Sequence, residues 1–286
     1  MQFFKNYKIT TKFIWWFLFI SFLTLTSAIY VSYQFSLKAL KKEIENSLFV
    51  VADNKTNQIE AYSLKLKKDI STLFYTQEFI DTADKLFNTF LNSGIDSLDY
   101  QAVEQESKPM LVYYQQLSGY DDIMLISPDG EVVFSIRDEG KSRSVYNEAL
   151  LKHSELSEVF MRAKTSQETE ISNFEYDNQS DNAAVFIALP IFKGSDFIGI
   201  AVVQISNKIF YAFSQDYTGL GQTGEAIILS EIRNEAVFIT PVRFDLQAAF
   251  KRKVKLSSEE GIVIQKALRG EEGSGIFLDY RGRQVL

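Results

Sequence analysis

The sequence predicts an α+β chain: an N-terminal transmembrane helix, a long amphipathic helix, and two antiparallel-sheet subdomains, the second incomplete. Three observations carry this. Residues Phe13 to Leu37 contain no charged side chain. From Ser36 to Leu91 there is neither proline nor glycine, and apolar residues recur at steps of three and four. Beyond that point the apolar period shortens to two in short runs separated by turn residues, the signature of strands.

The Phe13–Tyr33 stretch is 21 residues long. At about 1.5 Å per residue it is long enough to cross a bilayer core. Trp15 and Trp16 near one end and Tyr30 and Tyr33 near the other suit the two interfaces. Lys5, Lys8 and Lys12 precede it with no acidic residue, which favours a cytoplasmic N-terminus, although Lys38, Lys41 and Lys42 follow it. A cleaved signal peptide ending at Thr26-Ser27-Ala28 is the alternative, and the alternative function is a secreted or membrane-anchored small-molecule-binding protein with no signalling output.

Next comes the long helix, with Leu37, Leu40, Ile44, Leu48 and Val51, then Ile59, Tyr62, Leu66, Ile70 and Leu73 on one face. It reads as continuing from the anchor, with Asp53-Asn54 as a place where a break could fall. A hairpin follows over Asp121–Ile136, turned by Pro128-Asp129-Gly130, where Pro presets φ and Gly accepts a positive one. A helix spans about Glu155–Lys164, with Ser154 as its N-cap and Glu155 and Glu158 in its first turn. Strands are expected at Glu170–Tyr176, Ala183–Phe192 and Phe197–Ser206, giving five strands against one flank of helices. The pattern restarts with strands at Ala226–Ser230 and Val237–Thr240, a helix at Ser258–Leu268 and a strand at Gly275–Tyr280. The sequence stops at Leu286 in mid-strand, as a fragment would.

Gly219-Leu220-Gly221-Gln222-Thr223-Gly224 matches the dinucleotide fingerprint G-x-G-x-x-G. That fingerprint needs a strand before it and a helix after it, so that phosphate meets a helix N-terminus. Here a helix-like segment, Asn207–Gln215, comes first and an Ile-rich strand follows. The sequence therefore predicts a junction and no nucleotide site.

Composition narrows the chemistry further. The chain has no cysteine and one histidine, His153, so neither thiolate chemistry nor a His-cluster metal site is available from its own residues. Three lysines lie in the first 35 residues; the rest carries 27 basic against 37 acidic residues, a net charge of −10. That balance argues against nucleic acid and anionic membrane surfaces as partners. The paired acids Asp121-Asp122 and Glu271-Glu272 read as solvated turn residues rather than an acid–base pair, and no nucleophile–base pair stands out. No catalytic residue, cofactor or metal is expected.

Several motifs in this order resemble the double Cache sensor, a tandem PAS-like extracytoplasmic module of bacterial receptors. They are Gly119-Tyr120-Asp121-Asp122 leading into Ile123–Gly130, Phe174-Glu175-Tyr176 ahead of Ala183–Pro190, Gly199–Gln204, Thr218–Glu225, and Asp279-Tyr280-Arg281-Gly282. The resemblance covers about residues 36–286. It implies a cytoplasmic tail (1–12), a transmembrane helix (13–35), a stalk helix (36–75), a membrane-distal sensor domain (76–216) and an incomplete membrane-proximal domain (217–286). It further implies the plasma membrane of a bacterium, a homodimer through the long helix, and a histidine kinase or chemoreceptor output beyond this segment. Amino-acid-binding members carry a Tyr, then Arg-x-Trp-Tyr, then an Asp ending the last distal strand. This chain keeps Arg143 and Tyr146, but Val145 replaces the Trp, Asp138 stands at the first Tyr, and Gln204 stands at the Asp. The implied ligand set is Arg143, Tyr146 and Gln204. Tyr176 and Phe186 either wall the pocket or belong to the core. Without an acid beside Gln204, a neutral or anionic metabolite fits at least as well as an amino acid.

Overall fold

The computed structural model describes residues 8–137, 143–144, 154–177, 182–206, 208–232 and 235–285. Contacts divide the chain into two compact units, Met1–Asp53 and Asn54–Val285.

The first unit is helical. Helix α1 runs from Ile9 to Phe74, 66 residues, continuous through Asp53-Asn54, where the sequence left room for a break. Asp53 and Asn54 are cap-type residues, but with no proline or glycine beside them nothing stops the backbone ladder. Its uncharged stretch leaves large apolar side chains exposed, Phe13 at 72% and Trp16 at 65%. It is the one helix among the described residues long and apolar enough to cross a membrane, which is consistent with membrane anchoring.

In the second unit α1 ends at Phe74, and Thr76 caps α2 (Gln77–Ser93), its hydroxyl accepting from Phe79 N–H. Ser97 caps α3 (Leu98–Ser118), which Gly119 closes in the left-handed conformation at φ 70°. Six antiparallel strands form the first sheet: β1 (Asp122–Ile126), β2 (Glu131–Ser135), β3 (Arg143–Ser144), β4 (Glu170–Asp177), β5 (Asn182–Lys193) and β6 (Asp196–Ser206). Their spatial order is β3-β2-β1-β6-β5-β4. The hairpin turns sit where the sequence places them: Ser127 and Glu131 close the first, and Gly194-Ser195 links β5 to β6.

Side chains alternate between the two faces of each strand. Ile123, Leu125, Ile187, Leu189, Ala201 and Val203 pack on the end of α1 and on α2 and α3, through Ile70, Phe74, Phe79, Leu86, Tyr100 and Leu111. Met124, Ile126, Phe186, Ala188, Ile200 and Val202 pack on α4 (Glu155–Ser166) through Leu156, Val159, Phe160 and Ala163. Helices thus cover both faces, where the sequence had suggested one flank. The unforeseen helix is α3, whose polar sequence and internal Pro109 hide its buried Tyr100 and Leu111.

Helix α5 (Lys208–Gln215) leaves β6 and leads into the glycine turn. The second sheet follows, ordered β7 (Leu229–Ile232), β8 (Glu235–Phe238), β9 (Lys253–Lys255), with α6 (Glu259–Leu268) and the hairpin β10 (Phe277–Leu278) and β11 (Gln284–Val285). Its core is Ala236, Phe238, Val242, Ala248, Val254 and Leu256. The turn therefore joins a helix to a strand and offers no helix N-terminus to a phosphate. It is held structurally: Gly221 takes φ 62°, and Arg243 lies over the Tyr217 ring at 3.8 Å while donating to Gly221 O at 3.0 Å.

Candidate functional site

Polar side chains interrupt the apolar α4 face of the first sheet at one end. Gln204 on β6 stands opposite Asp122 on β1 and opposite Phe186 on β5, so the three lie side by side in one row. Parity puts the row on the α4 side: Asp122 alternates with Met124 and Ile126, Gln204 with Val202 and Ile200. Asp122 is 3% exposed, Gln204 6% and Phe186 8%.

Asp122 corrects the sequence expectation of a solvated turn residue. Pairing with β6 and the adjoining β2 strand bury it. Its carboxylate accepts from Ser135 Oγ at 2.7 Å, Ile136 N–H at 2.9 Å and Arg137 N–H at 3.3 Å. Burial pushes this carboxyl above the usual carboxylate range, against the opposing pull of the Ser135 hydroxyl and the backbone donors. The row therefore holds an acid whose acceptor sites are largely occupied, an amide and a phenyl ring.

The N-terminus of α4 lies against β4, beside this end of the sheet. Ser154 caps it, accepting from Ser157 N–H at 3.2 Å as its sequence predicted. Glu175, opposite Ala184 on β5, accepts from Glu155 N–H at 3.0 Å, and Glu155 accepts in return from Asn173 N–H at 2.9 Å. At the other end Arg162 donates to Ile171 O and Lys164 to Pro128 O, both at 2.6 Å. The helix is thus fixed at both ends over the sheet.

The structure brings together two of the five expected ligand residues, Phe186 and Gln204. Tyr176 pairs with Ala183 and so projects from the face away from α4, half-exposed, its ring 5.6 Å from that of Phe250. The sheet separates it from the other two. Arg143 belongs to β3, opposite Val132, and Tyr146 lies outside the described residues, as do Asp138 and His153. Sequence reasoning missed Asp122 and Ser135; polar residues on the parity of Met124 were the available signal. Among the described residues no cluster of three or more His, Asp or Glu side chains could hold a metal ion.

No family model and no curated protein matches the chain. Among solved structures it is similar to the sensor domain of the Vibrio cholerae histidine kinase DctB, at 15% identity and TM-score 0.45, covering 68% of this chain and 65% of that one. It is also similar to the ligand-binding domain of the Campylobacter jejuni chemoreceptor Tlp3 in complex with 4-methylisoleucine, at 14% identity and TM-score 0.35, covering 58% and 62%. A domain of a sensory box/GGDEF family protein from Vibrio parahaemolyticus matches at 11% identity and TM-score 0.44, covering 70% and 72%. This chain spans less than two thirds of the length of the first two.

Proposed function

We propose that this chain is the sensing part of a transmembrane receptor that binds a small molecule on the α4 face of its first sheet. The observation that carries the reading is the buried row Asp122–Gln204–Phe186, an acid and an amide set into an otherwise apolar helix–sheet core. A core built for stability alone gains little from burying such groups. A recognition site combines apolar walls with a few placed polar groups. Arg143 and Tyr146 complete the proposed set.

The carboxylate of Asp122 is already engaged by three donors and so has little left for a ligand ammonium. Gln204 adds an uncharged donor and acceptor. A neutral or anionic metabolite fits this chemistry. Residues 13–35 anchor the receptor in a bacterial plasma membrane, 36–75 form the stalk and dimer helix, 76–216 the distal sensor and 217–286 the proximal domain. Binding shifts the population of two arrangements, read out by a kinase or chemoreceptor module.

A thermal-shift screen of the chain in detergent, against panels of neutral, anionic and zwitterionic metabolites, tests this. A specific compound should stabilise the fold, and Gln204→Ala should abolish that shift. Stabilisation unchanged in Arg143→Ala would remove the clamp. No shift from any panel would remove the sensing role.

A further inference from the structure

Among the described residues one lysine or arginine is buried, and it lies outside the candidate site. Lys55, on α1, donates its ammonium to Phe213 O at 2.9 Å and Asp216 O at 2.7 Å, with the Asp216 carboxylate at 3.7 Å. These carbonyls are at the C-terminus of α5, where the last turn has no intrahelical donors and carries partial negative charge. Two turns along α1, the Tyr62 ring meets Phe210 and Phe213 edge-on at 6.2 and 5.8 Å, and Phe210 meets Phe174 of β4 at 4.9 Å. Helix α5 is therefore gripped at its end by a charge and along its side by aromatic rings.

We propose that Lys55 is a register pin that makes α5 and the adjoining part of α1 one mechanical body. Taking an ammonium out of water is costly unless its partners are well placed, and fixing register is the best-attested use of such a group. A slip of α1 by one turn would set Val51 or Ile59 against those carbonyls, leaving both them and the ammonium without partners. The connector matters because it begins at Lys208, four residues after Gln204. Displacement at the end of β6 is then handed to α1 at Lys55 and is not absorbed in a loose linker. That use in signalling rests on the sensor reading above; the pin itself does not.

Hydrogen–deuterium exchange on the full chain in detergent micelles, without any ligand, tests the pin. Lys55→Met should speed exchange of the 212–220 amides about tenfold or more, the factor implied by losing a charge-assisted bond. Amides of β5 and β6 should be unmoved. Unchanged exchange over 212–220 in a folded variant overturns the pin. Should the variant fail to fold, the wild-type chain decides: α5 and the α1 amides around Lys55 should open together, and α5 opening about tenfold more readily overturns the proposal. If Lys55→Met loosens α5 while no metabolite panel stabilises the chain, the pin stands and the sensing role falls.

Discussion

Asp122 and Gln204 face each other across β1 and β6, and their backbones continue the ladder beyond the strand end, where Asp121 N–H donates to Gln204 O at 2.8 Å. The pairing sets a carboxyl and an amide next to each other inside a helix–sheet core. It also ties the start of β1 to the end of the strand that feeds α5.

Asp122→Ala should destabilise the chain by about 1–3 kcal/mol at neutral pH, because Ser135 and two backbone N–H groups lose their acceptor. Asp122→Asn isolates the proton. Because burial holds the folded carboxyl above its ordinary 3.8, its contribution to stability is present below that value and declines as pH rises through the folded pKa. Urea denaturation across the acid range should show the wild type losing stability relative to Asp122→Asn with rising pH, then a plateau. A wild type that gains stability relative to Asp122→Asn as pH rises would contradict the assignment.

Gly221→Val should cost about 1–2 kcal/mol, the strain of a β-branched residue in the left-handed region. The position has φ 62° and open space around its missing Cβ, so no clash adds to that cost. Gly221→Asn should be tolerated better. Exchange should rise locally over 217–232, and calorimetric titration with dinucleotides should give no binding heat for the wild type. Tight nucleotide binding lost in the valine variant would restore the fingerprint reading.

Gly199→Ala is expected to add collision to backbone strain, because Gly199 sits at φ 155°. A Cβ there would lie 2.4 Å from the Phe87 ring and 2.8 Å from Ile126 O. Overpacking of this kind costs about 1–3 kcal/mol. Combining it with Phe87→Leu should recover part of the loss in urea melts, whereas a strictly additive double variant would count against the collision.

Glu175→Gln should weaken the seating of α4 by about 0.5–1 kcal/mol, since its carboxylate accepts from Glu155 N–H at the helix N-terminus, where it also interacts with the helix dipole. Exchange at Glu155 to Glu158 reports the effect. No change there would show that Ser154 alone suffices.

The strands of the first sheet were legible because β5 and β6 are long apolar runs joined by Gly194-Ser195. The Ser154 cap was legible because it is local chemistry. Helix α3 was not, since its burial arises only when α2 and the sheet close on its few apolar positions. Strand β9 was hidden by the lysines that flank Val254. The candidate site was half legible. Gln204 was named from the resemblance and Phe186 as an aromatic strand residue, and the face taken by Tyr176 depends on a bulge between Ile171 and Phe174. Asp122 needed the partner strands that bury it. Those are facts of pairing at long range, to which local periodicity is blind.

The contact between Tyr176 and Phe250 bears on solubility. Strand β4 is an outer strand of the first sheet, and α4 meets part of its backbone, Arg162 donating to Ile171 O and Glu155 accepting from Asn173 N–H. Phe250, from the connection between β8 and β9, sits against the ring near the end of that strand. A chain shortened to its first sheet would expose more of the Tyr176 ring to water. The connection between β8 and β9 thus shields part of an aromatic surface that the first sheet alone would present to water.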